Sequence, residues 1–410
     1  MQSRGEKTVA MEKWLRPRHK VIRDLAYLVL YPYARIRYRI RIEKCKDKKP
    51  RQYLILLNHQ TPFDQFFVGM SFRQPVYYLA TEDIFSNGWV SSLIRWLVAP
   101  IPIKKQTMDI GAIKKCLQVV GEGGTIAIAP EGNRTYSGRT EYMNPSIAGL
   151  ARRMKLPILL YRIEGGYGVE PRWSDCLRKG RMETHIARVI EPEEYASMSD
   201  AELFEAIREG IYVDEAAPTG EYLHSKRAEY LERAIYICPK CGLAKHVSRD
   251  ERLACTVCGN VVTYGTDKTL TATMPDFPFR YIAHWYDWQK AYINAFDPLA
   301  YTDKPIFTDE ATLSEVIPNE KKHELIAKCK VFLYGDRVVI DEGCETEHVF
   351  DFESVSAFTV LGRNKLNIYI GKQIYQIHGD KRFNALKYVH IYNRTKNIRR
   401  GDIDGQFLGL

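Results

Sequence analysis

No stretch of this chain is long and apolar enough to cross a bilayer. The longest nearly apolar run, residues 25–34, is about half of the roughly 20 residues that a spanning helix needs. The opening residues, Met1-Gln-Ser-Arg-Gly-Glu-Lys7, lack the apolar core and small-residue cleavage site of a secretory leader. Internal repeats are missing, which excludes a repeat array, and no segment is of low complexity. Nor is there an excess of charge beyond the first 50 residues. Those hold 15 Lys and Arg against 5 Asp and Glu, while the other 360 balance at 45 against 45, so the net charge of +10 is a local device. What is present is the composition of a folded protein. At 45% hydrophobic and 27% charged residues, it excludes both a disordered chain and a polytopic membrane protein. At about 150 residues per domain, 410 residues predict two or three domains. A cytoplasmic protein is expected.

The basic arm, residues 1–50, suits nucleic acid or an anionic membrane surface. Val21, Ile22, Leu25, Leu28, Val29 and Pro32 recur at helical intervals, with Arg18, Lys20, Arg23 and Asp24 between them and Tyr27, Tyr31 and Tyr33 near the end. That is the pattern of an interfacial helix with an aromatic fringe; a helix packed on its own domain is the other reading of the same stripe. At about 1 kcal/mol per basic residue near an anionic leaflet, about five well-placed residues suffice for peripheral attachment to the inner face of a membrane. Beyond Pro32, Arg35, Arg37, Arg39 and Arg41 alternate with Ile36, Tyr38, Ile40 and Ile42, which predicts a strand with one cationic face.

Apolar runs at 52–57, 76–80, 125–129, 157–163 and 186–190 read as buried strands, with helices at 110–120 and 146–154 between them. Thr61 and Pro62 mark a helix start as N-cap and first helical residue, and Ser199-Asp-Ala-Glu202 is a capping box that opens a helix over 200–211. Strands alternating with helices imply an α/β domain over 51–232. The texture then shifts to a cysteine module over 233–265, an aromatic-rich linker helix over 266–300 and a C-terminal antiparallel β module over 301–410. In that module residues 330–334 and 337–341 flank Gly335-Asp336, and 366–370 and 373–377 flank Gly371-Lys372; both read as hairpins. A closing helix carries Phe383, Leu386, Val389 and Tyr392 on one side.

Two loops following buried strands bear residues suited to chemistry. His59 lies at the end of one strand and Asp64 in the first turn of the next helix, and an imidazole oriented by a carboxylate is the working part of a general base. No Ser or Cys nucleophile accompanies them, which favours activation of a substrate hydroxyl; a structural hydrogen bond is the plainer alternative. The second loop is Pro130-Glu131-Gly132-Asn133-Arg134, where Arg134 offers a planar fork for phosphate. Lys104 and Lys105 add charge that could face the same crevice, or solvent. Cys238-x2-Cys241 and Cys255-x2-Cys258, each followed by glycine, have the spacing of structural zinc ligands in a zinc ribbon. A disulfide pairing or an iron site is the lesser alternative. With four basic residues against two acidic over 236–262, nucleic-acid binding is a second reading of this module. His246 is expected in solvent, and Cys45, Cys116, Cys176, Cys329 and Cys344 show no pairing pattern.

The order Asn58-His59-x4-Asp64, Ile101-Pro-Ile-Lys-Lys105, Pro130-Glu-Gly-Asn-Arg134 and Leu156-Pro-Ile158 resembles the four blocks of the glycerolipid acyltransferase family, and most closely the bacterial 1-acyl-glycerol-3-phosphate acyltransferases. The resemblance covers about residues 20–215 and implies acyl transfer from acyl-CoA or acyl carrier protein to a lysophospholipid at a membrane surface. It makes His59 the general base and Asp64 its orienting partner, and gives Glu131, Gly132, Arg134, Lys104 and Lys105 to acceptor binding. In the second block Lys105 stands where Arg is usual, and it cannot make a bidentate phosphate contact. Backbone N–H groups at Thr61-Pro62 are the expected donors to the thioester oxygen. The C-terminal module resembles a pleckstrin-homology or GRAM-like domain in pattern, with Arg363, Lys365 and Lys372 at hairpin ends suited to headgroups or to solvent. The competing class is a non-catalytic lipid-binding adaptor in which the zinc ribbon and C-terminal module recruit a partner.

Overall fold

The apolar runs become the middle strands of a seven-stranded sheet, in a computed structural model that describes residues 13–47, 49–85, 88–103, 110–216, 220–317 and 322–402. The first 12 residues of the basic arm, and Lys104 and Lys105, lie outside the described residues. The N-terminal domain runs α1 (Pro17–Arg37), β1 (Ile40–Ile42), β2 (Leu54–Leu57), α2 (Asp64–Ser71), β3 (Val76–Thr81), α3 (Trp89–Val98), β4 (Ile101–Ile103), α4 (Ile110–Gly121) and β5 (Thr125–Ile128). It continues through α5 (Ser146–Met154), β6 (Ile158–Glu164), α6 (Gly166–Val169), β7 (Met182–Ile190), α7 (Pro192–Ala196) and α8 (Asp200–Ile211). The sheet order is β1-β7-β6-β2-β5-β3-β4. β2 is central and parallel to both β5 and β6, whereas β6 and β7 pair antiparallel. Successive residues of β2 point to opposite faces. Leu54 and Leu56 join the core under α4, α5 and α8, while Ile55 and Leu57 join the core under α1 and α2. Burial on both faces is why this strand reads as an unbroken apolar run. The capping box forms as expected, with the Ser199 hydroxyl accepting from the Glu202 N–H at 3.2 Å and the Glu202 carboxylate from the Ser199 N–H at 2.7 Å.

Two expectations change here, at the end of α1 and at the start of α2. α1 continues through Pro32 to Arg37, so the alternating strand shrinks to Ile40–Ile42. Pro32 is tolerated because it lies on the exposed side of the helix, where the carbonyl it leaves unpaired meets solvent. α2 begins at Asp64, with Phe63 at the N-cap position, two residues later than the Thr61-Pro62 signal suggested. The stripe along α1 also faces outward. Val21, Leu25, Leu28, Val29 and Ile36 are 58–79% exposed, and α1 packs inward through Tyr27, Leu30, Tyr31 and Ala34. Beside it α3 exposes Trp89, Leu93, Trp96 and Val98. Arg18 joins the two helices, its Nε donating to the Trp96 carbonyl at 3.1 Å. No helix among the described residues is long and apolar enough to cross a membrane.

The cysteine module comprises β8 (Ile237–Cys238), β9 (Gly242–Leu243), β10 (His246–Arg249), β11 (Arg252–Cys255), β12 (Val261–Tyr264) and β13 (Leu270–Ala272). β10 to β13 form a four-stranded meander, so the sheet extends past 265 to Ala272. α9 (Ile282–Ala295) is a strut in place of a linker. Trp285 Nε1 donates to the Ile237 carbonyl at 2.9 Å, and Gln289 Oε1 accepts from the Tyr236 and Ile237 N–H groups at 2.8 and 3.2 Å. The C-terminal module is a second seven-stranded sheet, formed by β14 (Phe307–Glu315), β15 (His323–Leu333), β16 (Arg337–Ile340), β17 (His348–Asp351), β18 (Ala357–Leu361), β19 (Lys365–Ile370) and β20 (Gln373–Gly379), with α10 (Leu386–Arg399) against it. Both hairpins pair in the expected register, Leu333 with Val338 and Ile370 with Gln373. α10 is buried on every side from Leu386 to Thr395, not on one stripe, because it is wedged among β18, α9 and the cysteine module. One core runs from Tyr136 and Trp173 of the first domain through Leu253, Trp285 and Tyr286 to the C-terminal sheet, so these segments pack as one body.

Candidate active site

β2 and β5 are parallel neighbours with Leu56 opposite Ile128, so the loops that leave their carboxyl ends emerge side by side. Such adjacent ends form the crevice of an open α/β sheet. The two loops are tied directly: Thr135 N–H donates to the His59 carbonyl at 3.1 Å. His59 Nδ1 lies 2.7 Å from the Asp64 carboxylate. A carboxylate only accepts, so Nδ1 carries the proton and Nε2 is the basic nitrogen. Asp64 is 1% exposed and also accepts from the Gln60 N–H at 2.7 Å, the Thr61 N–H at 3.0 Å and the Thr61 hydroxyl at 2.7 Å. That network fixes the carboxylate, while the His59 side chain stays 27% exposed and open to a substrate. Asn58 anchors the loop from below, exchanging two 2.8 Å hydrogen bonds with the Ile163 backbone.

The amides expected to polarise a thioester are engaged elsewhere. Thr61 N–H goes to Asp64, Phe63 N–H goes to the Thr61 hydroxyl at 3.2 Å, and Pro62 has none. Glu131 is also turned away from the crevice. It is buried, and its two oxygens accept from the His59 N–H at 2.8 Å and the Glu141 N–H at 2.7 Å. Burial drives its carboxyl well above the usual range, and these two N–H bonds act against that rise. Its geometry is that of a clamp between loops. Glu131→Gln leaves one of the two N–H groups facing an amide NH2. The expected cost is about 1–3 kcal/mol of stability, measured by denaturant unfolding, with a loss of turnover. Gly132 adopts φ +68 on an exposed turn, a conformation that strains any residue with a Cβ.

Arg134 follows the clamp, with its Nη1 buried and without a hydrogen-bond partner among the described residues. Its pKa is pushed down to about 10, by burial first and then by the cations of Arg172 and Arg363. Arg172, buried, donates from Nη1 to the Arg134 carbonyl at 3.0 Å and from Nη2 to the Val360 carbonyl at 3.1 Å. Arg363, expected at a headgroup or in solvent, turns inward from the β18–β19 turn, and its Nη2 meets Glu170 Oε1 at 2.8 Å. Tyr38 donates to the other Glu170 oxygen at 2.7 Å. Tyr38, Glu170 and Arg172 were missed by the sequence reading; no local motif marks them, since they reach the loop from separate elements.

The four cysteine thiols lie within 4.8 Å of one another, with Cys238 Sγ and Cys258 Sγ 3.7 Å apart. Four sulfurs at about 2.3 Å from a tetrahedral zinc stand about 3.8 Å apart, so the donor set and its spacing fit that ion. Gly242 and Gly259, both at φ +71, turn the two knuckles alike. His246 corrects an expectation. It is buried edge-on against Trp285, at 5.8 Å between ring centroids, and desolvation lowers its pKa to about 4.

Comparison with known proteins bears on the segment that holds the site. The acyltransferase family model matches residues 39–163, which contain His59, Asp64 and Glu131 to Arg134. A 1-acyl-sn-glycerol-3-phosphate acyltransferase of Bacillus subtilis is 21% identical over 160 residues, or 39% of this chain and 77% of that protein. The crystal structure of the 1-acyl-sn-glycerophosphate acyltransferase PlsC from Thermotoga maritima is 19% identical, covers 47% of this chain and 75% of that one, and has a TM-score of 0.38. The solution structure of the N-terminal PH domain of human ARAP2 is 14% identical over 22% of this chain and 81% of that one, at a TM-score of 0.19. The family match and the curated relative support the acyltransferase family for the N-terminal part of the chain.

Proposed function

We propose that the protein is a lysophospholipid O-acyltransferase of the 1-acylglycerol-3-phosphate type, working at the surface of an anionic membrane. The observation that carries this reading is the His59–Asp64 pair at 2.7 Å, which leaves Nε2 as the basic nitrogen, with Arg134 near enough for the Asp64 charge to act on it. Nε2 takes the proton of the acceptor hydroxyl as its oxygen attacks the thioester carbon of acyl-CoA or acyl carrier protein. The tetrahedral intermediate then expels the thiolate, the C–S bond breaks, and the imidazolium returns its proton to the sulfur. Asp64 keeps the tautomer and stabilises the imidazolium, while Arg134 binds the acceptor phosphate, with Lys104 and Lys105 adding positive charge. Cys238, Cys241, Cys255 and Cys258 hold a structural zinc, whose closed set of four thiolates supplies folding support and no catalysis. Thiol release from acyl-CoA with 1-acyl-glycerol-3-phosphate, beside other lysolipids and alcohols and repeated with an acyl-carrier-protein donor, tests the reading. Release that needs both acceptor and His59 supports it, and silence across the panel overturns it.

Membrane attachment is part of this proposal. The outward stripe of Val21, Leu25, Leu28, Val29 and Ile36 is flanked by exposed Lys20, Arg35 and Arg37, which matches an anionic, apolar interface better than water. Leu25→Glu with Leu28→Glu is expected to cut co-sedimentation with phosphatidylglycerol vesicles by tenfold or more, since each leucine contributes about 1.5–3 kcal/mol on burial. Undiminished sedimentation would remove α1 as the attachment surface.

A further inference from the structure

Arg172, Arg363 and Glu170 all lie near enough for their charges to act on Arg134, Arg363 pairs with Glu170, and each of the three guanidiniums keeps a buried N–H without a partner among the described residues: Arg134 Nη1, Arg172 Nε and Arg363 Nε. Nearby carboxylates are committed. Asp64 is tied to His59 and the Thr61 loop, and Asp175, 3.6 Å from Arg363 Nη1, is held by Arg233 at 2.6 Å. These three cations thus face Glu170 and only a share of Asp175 and Asp64, an excess of positive charge that an anion would complete. The Arg363 turn is held in place, because Asn364 Nδ2 donates to the Gly379 and Asp380 carbonyls at 2.9 Å each.

We propose that Arg363, carried by the C-terminal module, together with Arg172 completes the anion site begun by Arg134, so that the chain selects acceptors bearing a phosphate dianion. The inference rests on the acyltransferase reading only in calling the bound group an acceptor. It makes the C-terminal module a wall of the acceptor site, with Arg363 a specificity-determining residue about 300 positions from His59 in sequence. Glu170 holds Arg363 in position while the site is empty, with Tyr38 keeping that carboxylate in place.

Calorimetric titration of the full chain with sn-glycerol 3-phosphate, inorganic phosphate and glycerol tests this directly. Wild type is expected to bind the two phosphate compounds and not glycerol, and tighter binding of the ester separates a lysolipid headgroup from free phosphate. Arg363→Gln is expected to weaken phosphate binding by about tenfold or more, and Arg363→Lys, which keeps the charge and loses the fork, by less. Glu170→Gln breaks the same ion pair from the other side and is expected to tighten binding, whereas Arg399→Gln, on the far end of α10, leaves it unchanged. Weakening in both Arg363→Gln and Glu170→Gln would mark the pair as a docking contact and overturn the inference. So would wild-type affinity in Arg363→Gln, or a wild type that binds neither phosphate compound. Thiol release is scored separately: phosphate binding that follows Arg363 without acyl transfer discards the acyltransferase reading alone. Transfer that needs His59 yet keeps the same KM in Arg363→Gln discards this inference alone.

Discussion

His59→Ala is expected to lower acyl transfer by about 10²- to 10⁴-fold while the melting temperature stays near that of the wild type. The side chain is part exposed and makes one polar contact among the described residues, to Asp64, so its removal leaves little buried surface to repack. Asp64 keeps its bonds to the Gln60 and Thr61 groups after the change and stays satisfied. Loss should fall on kcat more than on KM, because the imidazole acts on the proton that moves in the transition state and not on the acceptor phosphate. Asp64→Asn tests the same pair from the other side and is expected to damage both activity and stability. The buried carboxylate holds the loop together through four hydrogen bonds that an amide cannot all accept. Near-normal turnover in His59→Ala would reject the base assignment.

The second large effect is expected at the cysteine cluster. The purified chain should carry about one zinc ion, and Cys255→Ser or removal by a strong chelator should lower the melting temperature by about 10 °C or more. The effect spreads because the knuckle bearing Cys238 is continuous with Tyr236 and Ile237, which are bonded to Gln289 and Trp285 of α9. α9 in turn belongs to the core that joins the first domain to the C-terminal sheet. Loss of an ion held there would therefore loosen the platform on which Arg363 is presented. A metal-free protein of unchanged stability would show that the four thiols pack without an ion.

Much of this organisation is legible along the chain. The buried strands β2, β3, β5 and β6, the helices α4, α5 and α8, both C-terminal hairpins and the two cysteine pairs follow from local patterns that a few neighbouring residues carry. His59 and Asp64 are close in sequence, so their meeting depends on one loop. Failures arose where a local signal met a competing contact. Pro32 looked like a helix end, yet its exposed position costs α1 little, and Tyr38 as a buried anchor draws the chain inward before β1 begins. His246 looked like a surface residue, but the aromatic side of α9 covers it.

By itself the sequence determined most of the strand and helix pattern of the first domain, the pairing of His59 with Asp64, the spacing of the two cysteine pairs and the presence of a basic amphipathic helix, because each is encoded within a short span. Only the tertiary structure decided which face of α1 stays in solvent, that Glu131 clamps two loops, that α10 is buried all round, and that Arg363 meets Glu170 beside Arg134. Those outcomes depend on contacts between residues tens to hundreds of positions apart, where no periodicity or spacing links the partners and the packing of whole elements alone brings them together.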